Sequence, residues 1–209
     1  MRPVLIASVF CFLLFQSESG TVVAQKAAAR DPGQAPTYTA DGKLNFPADY
    51  REWIYLTSGV DMSYAPGASM DHSMFDNVFV NPAAYKSFLE TGTWPDKTIL
   101  VLEVRMAGSK ASINKSGHFQ TGLMGREVHI KDKSRFPGKW AFFPFDDDKP
   151  ATQIPVEANC YSCHEQHGAV DTTFVQFYPT LLDVAKQKGT FSAAYLKEEA
   201  EAAPGAGKK

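Results

Sequence analysis

Cys160, Cys163 and His164 stand together in Cys160-Tyr161-Ser162-Cys163-His164. The spacing is C-x-x-C-H, the attachment signature of a c-type haem. Two thiols two residues apart can each form a thioether to one of the two haem vinyl groups. The histidine that follows is then held beneath the iron, where its imidazole becomes the proximal axial ligand. On this reading Cys160 and Cys163 carry covalent bonds to one haem c, and His164 carries the iron.

Three other chemistries use similar residues. A thioredoxin-like C-x-x-C opens a βαβ unit, which the pattern of this chain lacks. A zinc site would draw on His164 and His167 as well, but four ligands within eight residues would strain a tetrahedron. A plain disulfide is compatible with an exported protein. The adjacent histidine and the N-terminal segment both favour haem.

That segment, residues 1–24, has the form of a signal peptide. Arg2 gives the positive start, Val4 to Phe15 the apolar stretch, and Val22-Val23-Ala24 a small-residue cleavage site. The apolar run is too short to span a bilayer comfortably. Export is therefore expected. Cys11 falls within this segment, so no cysteine is left over for a structural disulfide.

The chain has 209 residues, 44% apolar and 21% charged, which is the composition of a globular protein with one proper core. Net charge is −2, and loss of Arg2 and Glu18 with the signal leaves it unchanged. Neither a nucleic-acid partner nor a strongly basic one is expected from that balance.

The elements that must position the motif follow in order. Residues 25–42 read as a flexible linker rich in Ala, Pro, Gly and Thr. Order is expected from residue 43 to 190, and 191–209 read as a disordered tail. Pro47 is placed to open a short helix with Tyr50, Trp53 and Ile54 on one face. Ser58 to Met74 reads as a loop. Val78-Phe79-Val80 reads as a strand, and Asn81-Pro82 as the capped start of a helix with Tyr85, Phe88 and Leu89 buried and Gly92 at its end. Thr98 to Met106 is the strongest strand, Ser109 to Gly125 a polar excursion, and Glu127 to Lys131 a strand again. Trp140 to Phe145 is an aromatic strand whose Pro144 suggests an edge. Asp146-Asp147-Asp148 reads as a solvated loop. The haem motif falls on a short helix, and Phe174, Phe177, Leu181, Leu182 and Ala185 form a helical stripe behind it. The expected fold is α+β: a mainly antiparallel β-sheet with flanking helices and a C-terminal c-type haem site.

Several separated stretches resemble the cytochrome P-460 family and its relatives called cytochrome c′-beta. They are Phe46-Pro47-Ala48-Asp49-Tyr50-Arg51-Glu52-Trp53, Val78-Phe79-Val80-Asn81-Pro82, Arg135-Phe136-Pro137, Trp140-Ala141-Phe142-Phe143, the haem motif, and Phe174-Val175-Gln176-Phe177-Tyr178-Pro179. The resemblance covers most of Leu44 to Lys188. It implies a homodimer with one five-coordinate haem, attached outside the cytoplasm, hence a periplasmic protein. In the P-460 branch a lysine cross-links to the haem edge and hydroxylamine is oxidised. The matching position here is Leu102, and neither Lys97 nor Lys110 replaces the lysine. The beta-type relatives instead cap the iron with an aromatic or aliphatic wall that admits NO or CO.

Candidates for that cap are Phe75, Leu102, Phe143 and Met124, although any of them can equally be ordinary sheet core. His72, His118, His129 and His167, or Met62, Met70, Met74, Met106 and Met124, are alternative sixth ligands, which would make an electron-transfer cytochrome working with a redox partner. Glu157, close before Cys160, is the candidate proton carrier for the hydroxylamine- or NO-oxidising alternative. Glu103 shares a strand with Leu102 and is expected on the opposite face.

Overall fold

The computed structural model describes residues 35–63 and 72–202. The expected signal peptide, the first part of the expected linker, Met70 and the last residues of the tail lie outside the described residues.

Five strands form one antiparallel sheet in the order β1-β2-β3-β4-β5. They are β1 (Ile54–Val60), β2 (Met74–Val80), β3 (Ile99–Gly108), β4 (Phe119–Lys131) and β5 (Trp140–Phe145). Helix α1 (Pro82–Thr91) lies between β2 and β3, and α2 (Asn159–His167), α3 (Pro179–Lys188) and α4 (Ala193–Ala202) follow the sheet. This is the expected α+β arrangement.

Alternation along β3 divides the core in two. Ile99 and Val101 pack with Val128, Ile130, Ala141 and Phe143 on one face, beneath Leu44, Tyr50 and Trp53 of the N-terminal segment. Leu100 points the other way, into a cluster with Val80, Phe88, Trp94, Leu181 and Ala185 that joins α1 and α3 to the sheet. Phe88 and Trp94 are fully buried with ring centroids 4.4 Å apart. Side chains of this size each stabilise the fold by about 1.5–3 kcal/mol on burial. Glu103, on the Val101 face, is also buried. It accepts hydrogen bonds from Tyr50, Arg51, Arg105 and Asn77. Such a charge tolerates burial only with its oxygens satisfied.

Several local expectations are corrected. Only Tyr50–Glu52 form a helical turn, of 3-10 type, and Ile54 begins β1 instead of completing a helical stripe. Pairing with β2 from Ile54↔Val80 to Val60↔Phe75 decides this, because the ladder supplies the backbone partners that a short isolated helix could not. The expected loop is shortened at both ends accordingly.

Asn81 does not cap α1 with its side chain. Its Oδ1 accepts the Ile99 N–H at 2.9 Å, tying the helix start to β3. Gly92 does end the helix, at φ 74, and a Cβ there would meet Lys188 Cβ of α3 at 2.6 Å. Leu89 is exposed rather than buried, since Ala84 and Phe88 form the inner stripe.

The polar excursion is shorter than expected. Phe119 to Gly125 already belong to β4, which pairs across a register shift with β3. Residues 37–45 are ordered by hydrogen bonds between Asn45 and Thr37 and between Leu44 and Ala151. The expected tail is helical over Ala193–Ala202, where Glu198 meets His167 of α2. Phe174 and Phe177 lie outside α3, with Val175–Phe177 forming a 3-10 turn.

Candidate haem site

Helix α2 brings the motif to the Leu100 face of the sheet. Its residues Asn159, Cys160, Cys163 and His164 line a cavity of about 440 Å³. That is within the usual range for cofactor sites. The sheet contributes Thr57 and Gly59 of β1, Asp76 and Val78 of β2, Leu100 and Leu102 of β3, Glu127 and His129 of β4, and Phe142 of β5. Thr173, Phe174, Phe177 and Tyr178 close the other side.

His164 is held from several directions. Its Nδ1 lies 2.7 Å from the carbonyl oxygen of Thr172. An Nδ1–H donated to that carbonyl leaves Nε2 unprotonated, which is the tautomer that binds a metal. Burial lowers the His164 pKa, opposed by the Thr172 carbonyl, a shift that favours the neutral ring. Phe174 packs at 4.3 Å between ring centroids, Phe142 at 4.7 Å and His129 at 5.0 Å.

Gly168 allows this contact. A Cβ there would lie 2.5 Å from the His164 carbonyl oxygen and 2.7 Å from the Thr172 carbonyl carbon. The chain after α2 therefore folds back against the helix only because residue 168 has no side chain.

Cys160 and Cys163 are both free and partly buried. Burial raises the Cys160 pKa, and the nearby Glu127 carboxylate adds to it. The other readings of the motif find no support in this arrangement. The cysteines form no disulfide, and the sheet is antiparallel throughout. His167 turns away to Glu198 at 3.1 Å. Among the described residues no group of three or more His, Cys, Asp and Glu side chains could hold a metal ion. Two free thiols, an imidazole with one nitrogen committed and an apolar cavity suit a haem.

Of the expected cap residues only Leu102 lines the cavity. Phe143 lies on the opposite face among Val128, Ile130 and Phe136. Its neighbour Phe142 takes the cavity position, because adjacent strand residues face opposite ways. Phe75 pairs with Arg105 and Val60, one position out of phase with the cavity residues Asp76 and Val78. Met124 is exposed at the register shift in β4, away from the cavity. Glu157 is exposed before α2 and does not line the cavity either.

Two carboxylates that the sequence reading passed over do line it. Glu127 and Val78 both pair with Leu102, from opposite sides, and Asp76 is two residues before Val78 on the same face. Desolvation raises the pKa of both, although Glu127 keeps solvent exposure, with Asp61 adding to the effect at Asp76 and Asp76 at Glu127. The shared parity of Glu127 with His129 was the available signal. His129 itself is buried and stacked on Phe142 at 3.9 Å, with Nε2 unpartnered and its pKa pushed well down by burial and by His164. It stands beside His164, not across the cavity from it. Met62 also lines the cavity, packed against Gly59.

The sequence model of the Cytochrome P460 family matches residues 47–175. That is more than half of the chain, and it includes β1 through the haem motif. The fold and the match place this chain in the cytochrome P460 family, whose members are haem cytochromes. No curated protein matches the chain.

Proposed function

We propose that this chain is an exported, mono-haem c-type cytochrome whose iron has His164 as its one protein ligand and leaves the sixth position to a small diatomic such as NO or CO. Cys160 and Cys163 would hold the haem through thioethers, and His164 Nε2 would hold the iron. The observation that carries the reading is the Nδ1 contact to the Thr172 carbonyl, which leaves Nε2 free inside a cavity that both cysteines line. When bound, the haem supplies an open coordination position for a small ligand.

The cavity wall favours gas binding. Val78, Leu100 and Leu102 are aliphatic, and no lysine is among the described residues that line it. Leu102 cannot form the third haem bond of the P-460 branch. The periplasm is the proposed location, where a redox partner would have access. A homodimer is proposed on the exposed Met106, Leu123 and Met124 of the β3–β4 hairpin.

A second reading, an oxidoreductase for hydroxylamine or NO, draws on a specific observation of its own. Asp76 and Glu127 face the cavity with raised pKa values, so either can carry a proton to a bound ligand. In this reading Glu127 takes the role first expected of Glu157.

An absorption spectrum of the reduced protein tests these readings together. Broad high-spin bands that sharpen on adding CO are expected. Sharp α and β bands without CO would indicate a sixth protein ligand, for which Met62, on the cavity wall, is the candidate. A strongly red-shifted Soret band would indicate a cross-linked haem and the oxidoreductase.

A further inference from the structure

The turn that presents the Thr172 carbonyl to His164 is strained. Asp171 has φ 50 and Thr172 φ 61, two consecutive non-glycine residues in the left-handed region. Such a pair persists only where the surroundings over-determine it.

The surroundings here are specific. Val170 and Thr173 close the turn with paired backbone hydrogen bonds of 3.3 and 2.8 Å. Thr173 Oγ1 donates to the Val170 carbonyl at 2.6 Å and accepts the Trp94 indole N–H at 2.8 Å. Asp171 accepts the Trp94 backbone N–H at 3.2 Å and the Lys131 ammonium at 2.8 Å. The Lys131 side chain is 5% exposed, and its ammonium also donates to the Trp94 carbonyl at 2.6 Å. A lysine is rarely buried this far unless it is paired.

We propose that the ion pair between buried Lys131 and half-buried Asp171 is a positioning device for the axial ligand. It rests on the reading of His164 as that ligand. The pair clamps Asp171 to β4 and to the segment before β3. The clamp keeps residues 171 and 172 left-handed and aims the Thr172 carbonyl at His164 Nδ1. The hydrogen bond then fixes the imidazole plane and tautomer and strengthens Nε2 as a donor. Neither Lys131 nor Asp171 lines the cavity, so neither acts on the haem directly.

The test uses the haem-loaded full chain with Asp171→Asn, Lys131→Met and Lys131→Arg. Lys149→Met, which removes an exposed ion pair to Asp147, is the control. Covalent haem is scored first on a denaturing gel. The iron–histidine stretching frequency of the ferrous protein and the reduction potential are then measured. Asp171→Asn and Lys131→Met are expected to keep covalent haem while lowering or splitting the stretch and raising the potential, since a weaker imidazole donor favours ferrous iron. Lys131→Arg is expected to restore both in part, and the control to change neither. Native values in haem-loaded Asp171→Asn would overturn the proposal. Asn at 171 keeps the side-chain size and tolerates left-handed backbone, so it carries the test if Lys131→Met does not fold. On the native protein the His164 Nδ1 proton should exchange slowly with solvent, and fast exchange would also overturn the proposal. A native ferrous protein that is high-spin by absorption yet shows no iron–histidine stretch would instead refute ligation by His164, and the positioning role with it.

Discussion

The imidazole of His164 and the carbonyl of Thr172 meet at 2.7 Å although eight residues separate them along a chain that has just left a helix. The contact presets a histidine on a short helix for the proposed role of iron ligand, with one nitrogen committed and the other free.

Gly168→Ala should break that preset. The new methyl would collide with backbone of both His164 and Thr172, and neither can move without the turn. Overpacking of this kind costs about 1–3 kcal/mol. The expected result is a lower denaturation midpoint with covalent haem retained. Thermal melting and a haem-stained gel check the two halves separately.

On the proposed assignment, His164→Gly should leave both thioethers and remove the iron ligand, because attachment and ligation use different atoms. Added imidazole is expected to restore the native ferrous spectrum by entering the vacated space between Phe142 and Phe174. Titration of the variant with imidazole, followed by absorption, measures this.

The cavity carboxyls should give stability an acid-side component. Asp76 and Glu127 have folded pKa values raised above the ordinary 3.8 and 4.5. A raised carboxyl binds its proton more tightly folded than unfolded. Its contribution is therefore full at low pH and is lost as pH rises from those ordinary values through the raised ones. Asp76→Asn with Glu127→Gln should flatten this part of the stability curve above the ordinary carboxyl values. Denaturant unfolding across that range is the measurement, and an unchanged slope would count against the assignment.

Glu103 should show the opposite sign. Burial pushes its pKa up, but hydrogen bonds from Arg105 and Tyr50 and the Arg51 charge outweigh that and hold it below 4.5. Its contribution is present at neutral pH and lost as pH falls through the lowered value. Glu103→Gln should destabilise the fold by about 2 kcal/mol at neutral pH, the scale of hydrogen bonds to a buried charge. The difference from the native chain should shrink as pH falls below the ordinary 4.5 through the lowered value.

How far the residues foretold this structure depended on whether the deciding interaction was local. β3, β5 and α1 were legible because their apolar periods are bounded by Pro95-Asp96, Pro137-Gly138, Pro82 and Gly92. β1 was not, because Tyr50, Trp53 and Ile54 fit a helical period and only pairing with β2 overrides it. In Trp140-Ala141-Phe142-Phe143-Pro144-Phe145 aromatic residues point both ways, so the run itself cannot tell that Phe142 faces the cavity and Phe143 the core. The alternation of Glu127 and His129 with Val128 and Ile130 was visible, but not which face carries the cavity. The haem motif was readable because its chemistry lies within five consecutive residues. The Thr172 and Lys131 contacts that support it come from folding, and no short motif encodes them.

The central claim, one haem held by Cys160 and Cys163, is tested most directly by peptide-resolved mass spectrometry of the denatured protein as isolated from an exporting host. One haem is expected on the peptide containing Cys160 and Cys163, with no attachment to any other peptide. An unmodified Cys160–Cys163 peptide, or a haem also bonded to a lysine-bearing peptide, would contradict it.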